Sequence, residues 1–340
     1  MIRKLILASA LLTALIAVGQ SSSAVACGGP YGLVLSAELH TVMSRNGQFV
    51  AGFGPMDAQG GSKLNITEVK TGKVISSFTI EKKDRPSLSI MAVSDNGGKL
   101  LMRRLLPGKE IGHEVELWLK GLASPIALGK LPTIGGSVGA FHPNGSTMVV
   151  GDMAGNIHLH RFGCGILSTI LVKANSCPKA QQPVRYLAFS ADGKFLVSQS
   201  TRLRVPSGEV KVINMATQKV VFETGEVTNA VALSADGQFL ATADISNKEV
   251  TIWDVKQGTV LRKIAADKTN VQSLSFSSDG KRLAAVVNTG EVKLWDAVSG
   301  KLVLTINEHG NPARRVAFSS DGQELLVIRR NNTLKSWSLS

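Results

Sequence analysis

The feature that most constrains the fold of this chain is a short motif that occurs seven times. In its clearest form the motif is Ser-Ala-Asp-Gly-Lys-Phe-Leu at 190–196, and close copies occupy 234–240, 277–283 and 319–325. Weaker copies come earlier, and the seven motif glycines are Gly47, Gly97, Gly145, Gly193, Gly237, Gly280 and Gly322. Successive glycines are 50, 48, 48, 44, 43 and 42 residues apart. A period of this length is typical of a closed or open array of repeated structural units.

Each copy of the motif predicts a β-hairpin. Asp-Gly or Asn-Gly between two alternating apolar runs is a strong hairpin signal, because both residues tolerate the positive φ that a two-residue turn needs. Two further strands follow in each repeat, most clearly at 250–260 and 292–302. In these two repeats a Trp-Asp pair ends the third strand and a glycine marks the next turn. Every repeat except the last therefore predicts four strands.

The Trp-Asp pairs at 253–254 and 295–296, together with the repeat length, resemble the WD-repeat β-propeller family. The resemblance covers roughly residues 31–340. It implies an all-β fold, a seven-bladed β-propeller of four-stranded antiparallel blades. The pair is intact in only two repeats, since Leu119 follows Trp118 and Ser338 follows Trp337.

Residues 27–340 are expected to form one propeller domain. First strands are predicted near 39, 88, 137, 184, 228, 271 and 313. Only three strands are predicted from residue 313 onward. We therefore expect residues 31–36 to supply the outer strand of blade 7 and to close the ring, which would remove an open sheet edge.

Residues 1–26 have the features of a signal peptide. Arg3 and Lys4 precede an apolar run from Leu5 to Val18, and residues 24–26 are Ala-Val-Ala, which fits the cleavage site. We therefore expect a periplasmic or secreted protein. Cleavage after residue 26 would make Cys27 the first residue, and residues 24–27 also resemble a bacterial lipobox. Lipidation of Cys27, with attachment to a membrane, remains an open alternative.

The net charge and the cysteines indicate which partners and which redox compartment suit the chain. The chain carries a net charge of +13 and three cysteines. A basic surface favours anionic partners, and for an exported chain we expect a protein or an anionic component of the cell envelope rather than nucleic acid. We expect a monomer. Cys164 and Cys177 are a possible disulfide in an oxidising compartment, but a strand's length separates them in the predicted blade 3, so the pairing stays open.

The candidate binding surface lies on the face that carries the loops between second and third strands. Three of these loops are predicted to be extended, namely 54–63, 105–113 and 200–208. We choose this face because function usually lies where loops are long. The basic residues that we assign to partner binding are Arg103, Arg104, Lys109, Arg202, Arg204, Arg329 and Arg330. Arg185 and the Arg314–Arg315 pair lie nearby. Arginines suit carboxylates and phosphates. The alternative is a solvated rim whose charges are balanced by acidic neighbours.

The sequence holds no serine nucleophile elbow, no His-Glu-x-x-His zinc motif and no phosphate loop. His158 and His160 alternate on one strand and are expected to pack rather than to ligate a metal. We expect no cofactor and no catalytic residue. The predicted function is an exported, non-catalytic scaffold or binding protein. The alternative is a periplasmic propeller enzyme or small-ligand sensor with its site at the central channel. Three or more titratable residues converging at the channel mouth would favour that alternative.

Overall fold

The computed structural model describes residues 41–84, 87–106, 112–122, 124–131, 138–162, 166–172, 183–201, 208–245, 249–266, 270–308 and 310–339. The predicted signal peptide (1–26), Cys27, the predicted closing strand (31–36), Cys164 and Cys177 lie outside these residues. Within them the fold is all-β, with seven antiparallel sheets and no α-helix. The described ranges also contain no helix long and apolar enough to cross a membrane.

Blades 1 to 3 each contain four strands in chain order, and their bounds are β1 (Thr41–Met43), β2 (Phe49–Met56), β3 (Ser62–Glu68), β4 (Val74–Ile80), β5 (Leu88–Val93), β6 (Lys99–Leu106), β7 (Gly112–Leu119), β8 (Ile126–Leu131), β9 (Val138–Phe141), β10 (Thr147–Gly151), β11 (Ile157–Phe162) and β12 (Ile166–Val172).

Blades 4 to 7 follow the same plan, with β13 (Val184–Phe189), β14 (Phe195–Thr201), β15 (Gly208–Asn214), β16 (Lys219–Thr224), β17 (Thr228–Leu233), β18 (Phe239–Asp244), β19 (Glu249–Asp254), β20 (Thr259–Ala265), β21 (Val271–Phe276), β22 (Arg282–Val287), β23 (Val292–Asp296), β24 (Leu302–Ile306), β25 (Ala313–Phe318), β26 (Glu324–Arg329) and β27 (Leu334–Ser338). In blade 7 the described residues supply three strands.

The blades form a ring with their first strands innermost. The first strands of adjacent blades contact one another in an unbroken series from β1 to β25. Blade 1 also meets blade 7: a Cβ added to Gly47 would lie 2.9 Å from the carbonyl oxygen of Phe318. The side-chain amide of Gln48 donates to the hydroxyl of Ser320 across 3.3 Å. The seven-bladed propeller predicted from the sequence is thereby confirmed.

The core lies between neighbouring blades, and the repeated motif builds it. The last motif residue is the apolar residue at the second position of each second strand. In blades 2 to 7 this residue has no exposed surface, and the set is Leu100, Met148, Leu196, Leu240, Leu283 and Leu325. Each such burial stabilises the fold by about 1.5–3 kcal/mol. The motif thus sets the hairpin and fills the core at once.

The motif turns differ from the two-residue turns that we predicted. Only the glycine has positive φ, as at Gly193 with φ 74°. The Asp192 carboxylate instead accepts the hydroxyl of Ser190 at 2.7 Å and the backbone N–H of Lys194 at 3.0 Å. The Ser190 hydroxyl oxygen accepts the N–H of Phe195 at 3.0 Å. Four residues therefore form the turn, held by the motif's own side chains.

One of the three loops predicted to be extended is largely strand. Over 54–63, β2 continues to Met56 and β3 begins at Ser62. The Asp57 carboxylate organises the short turn between them by accepting the N–H groups of Gln59 and Gly61. The prediction for this loop was wrong, because the aspartate closes a compact turn. Of the other two loops, 107–111 and 202–207 lie outside the described residues, and with them Lys109, Arg202 and Arg204.

Candidate functional site

The two faces of the ring use their polar groups differently. The turn face carries the Ser-x-Asp-Gly turns, and in blades 4 to 7 the same serine–aspartate hydrogen bond recurs within each turn. The long-loop face carries the ends of the second strands and the starts of the first strands. The turn face therefore repeats the same side-chain contacts from blade to blade, whereas the turns of the long-loop face, such as those closed by Asp57 and Asp152, differ between blades.

Four consecutive blades carry a β-bulge at the same place on the long-loop face. In blade 4, Val184 pairs with Ser200 and Tyr186 pairs with Gln199, so that the strand register skips Arg185. The register skips in the same way in β17, β21 and β25. The skipped residues are Arg185, Asn229, Gln272 and Arg314, which we call the bulge ring. A bulge re-aims a side chain, and all four of these side chains are polar.

The residue after each bulge resumes the pairing of the innermost strand with the second strand. In blades 4 and 7 these residues are Tyr186 and Arg315. Burial raises the pKa of the Tyr186 phenol, and the positive charge of Arg315 opposes that rise. Burial also lowers the pKa of Arg315, and Arg314 beside it acts in the same direction. The Tyr186 side chain packs against the apolar cluster that blades 4 and 5 share.

Arg103 and Arg104 lie near the end of β6. The Arg103 guanidinium donates to the hydroxyl of Ser89 at 3.2 Å. Arg104 pairs with Asp84 at 2.6 Å and also with Glu116. Glu116 is buried and accepts the indole N–H of Trp118 at 3.0 Å. Arg104 is thus part of a network inside blade 2.

Arg329 has the same kind of role in blade 7. It pairs with Glu308, whose side chain is only 2% exposed. Glu308 also pairs with Lys335 at 3.4 Å and accepts the indole N–H of Trp337 at 2.8 Å. Arg330, the next residue, is exposed, and its backbone N–H donates to the carbonyl of Pro312 at 2.9 Å. Of this neighbouring pair, Arg330 is exposed, whereas the Arg329 side chain is 21% exposed.

A third network, in blade 5, contains no arginine. The hydroxyl of Thr242, which is fully buried, donates to Glu226 at 2.8 Å and accepts the indole N–H of Trp253 at 2.9 Å. Burial raises the pKa of Glu226. In blades 2, 5 and 7 the tryptophan indole N–H thus has a hydrogen-bond acceptor, and the residues around that acceptor differ from blade to blade.

The two histidines of β11 have structural partners. His158 contacts Asp152 at 3.0 Å, and the same carboxylate accepts two N–H groups of Asn156. Burial alone would raise the pKa of Asp152, but these hydrogen bonds hold it below its ordinary value. His160 is buried, and burial with a smaller effect of His158 lowers its pKa to about 4. Within the described ranges, no three His, Cys, Asp or Glu side chains form a group able to hold a metal.

The sequence alone does not show which basic residues are engaged: of the described ones, Arg104 and Arg329 form ion pairs, and Arg330 is exposed. The bulge-ring residues Arg185 and Arg314 lie only among the neighbours of the site predicted from the sequence. The signal was present in the sequence. Two residues separate the apolar positions Val184 and Leu187, where simple alternation would leave one, and this extra residue is the bulge.

Comparisons with known proteins agree with this architecture. Residues 218–254 match the WD domain, G-beta repeat, and residues 265–321 match the WD40 domain of anaphase-promoting complex subunit 4. An uncharacterized WD repeat-containing protein of Synechocystis sp. is 29% identical over 103 residues, which cover 29% of this chain and 28% of that relative. The β-propeller domain of Myceliophteria thermophila Cps50 (Swd1) matches with a TM-score of 0.62 and 15% identity, over 88% of this chain and 95% of the other.

The closed ring of antiparallel blades makes the chain a seven-bladed β-propeller. The repeated turn motif, the Trp-Asp pairs and the two matched segments support a WD-repeat family. The likeness to the Cps50 domain concerns the fold alone.

Proposed function

We propose that this protein is an exported, non-catalytic scaffold that binds a protein partner through its long-loop face. The fold itself suggests an interaction scaffold, since WD-repeat propellers commonly serve that role. Fold does not fix function, however, so the proposal rests on the site.

The observation that carries the proposal is the contrast between the two faces. On the turn face, the serine and aspartate side chains of blades 4 to 7 bond within their own turns. On the long-loop face, the bulge ring holds four polar side chains that differ from blade to blade. A rigid scaffold that repeats one face and varies the other is suited to recognition on the varied face.

The charge of that face indicates the chemistry of the partner. The bulge ring contributes two arginines, and the exposed Arg330 lies next to the start of β25 through its bond to Pro312. Arginine is enriched at the centre of protein interfaces, where its fork binds carboxylates. An acidic surface on the partner protein fits these features, and the positive net charge would speed the encounter.

Export is supported by the charged start, the apolar run and the Ala-Val-Ala sequence within residues 1–26. Cell fractionation tests it. We expect the wild-type protein outside the cytoplasm, and the Cys27→Ser variant separates the two forms. Release of this variant from membranes, with the wild type retained, would support lipidation. The same distribution for both proteins would support a free periplasmic or secreted form.

The binding face is tested by a pull-down from cell-envelope extract with two charge-matched baits. The face variant carries Arg185→Gln, Arg314→Gln and Arg330→Gln. The control variant carries Lys194→Gln, Lys281→Gln and Lys301→Gln, three exposed lysines of the turn face. We expect the control and the wild type to retain the same partner and the face variant to lose it. Retention by the face variant with loss by the control would contradict the proposal.

A further inference from the structure

The outer strands of blades 4, 5 and 6 carry a β-bulge next to the turn that joins the third strand to the fourth. In blade 5 the pairing of the outer strand skips Leu261, which lies between the paired residues Val260 and Arg262. At the same position the pairing skips Val221 in blade 4 and Val303 in blade 6. Two residues of the outer strand oppose one residue of the third strand there, so the alternation of side chains between the two sides of the strand is interrupted.

The interruption is accompanied by two consecutive exposed aliphatic side chains in each of these blades. We call this set the aliphatic rim, and its residues are Val220, Val221, Val260, Leu261, Leu302 and Val303. Each of the six is between 42% and 59% exposed. Blade 1 has the same bulge, but its skipped residue Ile75 packs against the core that blades 1 and 2 share. Exposed aliphatic side chains in three consecutive blades mark an interaction surface.

Contacts between the blades place the three aliphatic pairs side by side. Phe222 of the outer strand of blade 4 meets Trp253 of blade 5 edge to face, with ring centroids 5.5 Å apart. The Arg262 guanidinium of blade 5 donates to the carbonyl of Ser299 in the β23–β24 turn of blade 6 at 3.1 Å. Each outer strand thus lies directly against the next blade, and the pairs follow one another around the ring.

Basic side chains border the aliphatic rim. Over the segments 214–224, 254–265 and 296–306, the chain carries five basic and three acidic residues. Two of the acidic side chains bind within their own turns, since Asp254 accepts the N–H of Gln257 at 2.8 Å and Asp296 accepts that of Ser299 at 2.6 Å. The lysines, in contrast, are exposed, and they are Lys219, Lys256, Lys263 and Lys301. The rim is therefore an apolar surface with a positive border.

We propose that the aliphatic rim docks this protein on the surface of an anionic lipid membrane. Aliphatic groups can enter the headgroup region of a bilayer, while ammonium groups beside them attract the phosphates of anionic lipids. The export predicted from residues 1–26 would bring the chain to such a surface. The inference goes beyond the proposed function and does not rest on it, because the rim is separate from the long-loop face.

Two other occupants fit the rim less well. A second copy of this chain in a symmetric contact would bring the same patch against itself, so that lysines of like charge would face one another. A β-strand added from a partner protein would need the free edge of an outer strand, and a bulge twists such an edge away from further pairing. A fluid anionic surface meets the positive border without either difficulty.

The test is co-sedimentation with lipid vesicles of the mature protein carrying Cys27→Ser, so that no acyl chain contributes to binding. Vesicles of phosphatidylglycerol and phosphatidylethanolamine present an anionic surface, and vesicles of phosphatidylcholine present a neutral one. We expect binding to the anionic vesicles in about 0.1 M salt, about tenfold weaker binding to the neutral vesicles, and weaker anionic binding as the salt concentration rises.

Three variants separate the contributions, and urea denaturation of each confirms that it is folded. The rim variant carries Val221→Ser, Leu261→Ser and Val303→Ser, and it should bind anionic vesicles about tenfold or more weakly. The charge variant carries Lys219→Gln, Lys256→Gln and Lys263→Gln, and a similar loss is expected. The matched control carries Val74→Ser, Leu105→Ser and Leu122→Ser, which replace exposed aliphatic side chains of blades 1 and 2, and it should bind like the wild type.

Unchanged vesicle binding by the rim variant or by the charge variant would overturn the inference. An equal loss in the rim variant and the control would also overturn it, because it would show adhesion through any exposed aliphatic side chain. If the wild type binds no vesicles but forms a dimer that the rim variant does not form, the rim is a contact between two copies. If it binds no vesicles and a photo-reactive residue at position 261 cross-links a protein in envelope extract, the rim binds a protein.

Discussion

Replacement of Glu308 by alanine should destabilise the propeller more than removal of any exposed charge. Glu308 is the acceptor that joins Arg329, Lys335 and the indole of Trp337 in blade 7, and its side chain is only 2% exposed. The alanine variant would leave a partly buried guanidinium without its carboxylate and an indole N–H without its acceptor.

The magnitude follows from these two losses. Removing one partner of a buried ion pair costs about 3–5 kcal/mol, because the remaining charge stays in a poorly solvated position. That figure includes the indole N–H, for which an unsatisfied buried donor costs about 1–3 kcal/mol. Glu308→Gln should cost less, because the amide oxygen can still accept the indole N–H of Trp337. We therefore expect a loss of about 3–5 kcal/mol for alanine and a smaller loss for glutamine.

Urea denaturation of the mature protein measures both losses as changes in the free energy of unfolding. The matched control is Glu249→Ala, because Glu249 has a side chain 37% exposed and contacts Lys263 at 3.7 Å. An exposed pair of this kind contributes about 0.2–1 kcal/mol. The reasoning is refuted if Glu308→Ala costs no more than Glu249→Ala.

Three further changes test the same structural account by urea denaturation. Thr242→Val should cost about 2–4 kcal/mol, because the indole of Trp253 and the carboxylate of Glu226 lose their shared partner. The control Thr259→Val, at an exposed strand start, should change the free energy of unfolding by no more than about 0.5 kcal/mol. Equal losses in the two variants would refute the network. Gly237→Ala should cost clearly more than Gly258→Ala: their φ values are 72° and 69°, but only at Gly237 would the new Cβ meet a phenylalanine ring, at 2.2 Å. The positive φ alone costs about 1–2 kcal/mol in either variant. Similar losses in Gly237→Ala and Gly258→Ala would therefore show that the phenylalanine side chain moves aside without cost. Neutral, buried His160 contributes stability that is complete above pH 6.5 and is lost as the pH falls to about 4, the pKa in the folded protein. This loss amounts to about 3 kcal/mol of the free energy of unfolding. Between pH 6.5 and pH 4, His160→Gln should therefore lose less stability than the wild type. An equal loss in the two proteins would refute the prediction.

The strands could be predicted from the sequence because one motif encodes three things at once. Its glycine takes the positive φ of the turn, its serine and aspartate hold the turn closed, and its last apolar residue is buried between blades. The turn geometry itself was mispredicted, since a two-residue turn is the usual reading of Asp-Gly. The serine four residues before Lys194 makes the longer turn stable, because its hydroxyl oxygen accepts the N–H of Phe195.

The candidate site could be predicted only in part. Charge alone cannot show which arginines are already engaged. Arg104 and Arg329 are held by carboxylates that come from elsewhere in the fold.

The most direct test of the central claim is to locate a bound partner on one face. A photo-reactive amino acid can replace Arg330, exposed on the long-loop face, and in a second protein Lys281, exposed on the turn face. Both proteins would be irradiated in envelope extract and the cross-linked products identified by mass spectrometry. We predict one partner protein cross-linked from position 330 and not from position 281. Cross-linking of that partner from position 281 alone would contradict the account.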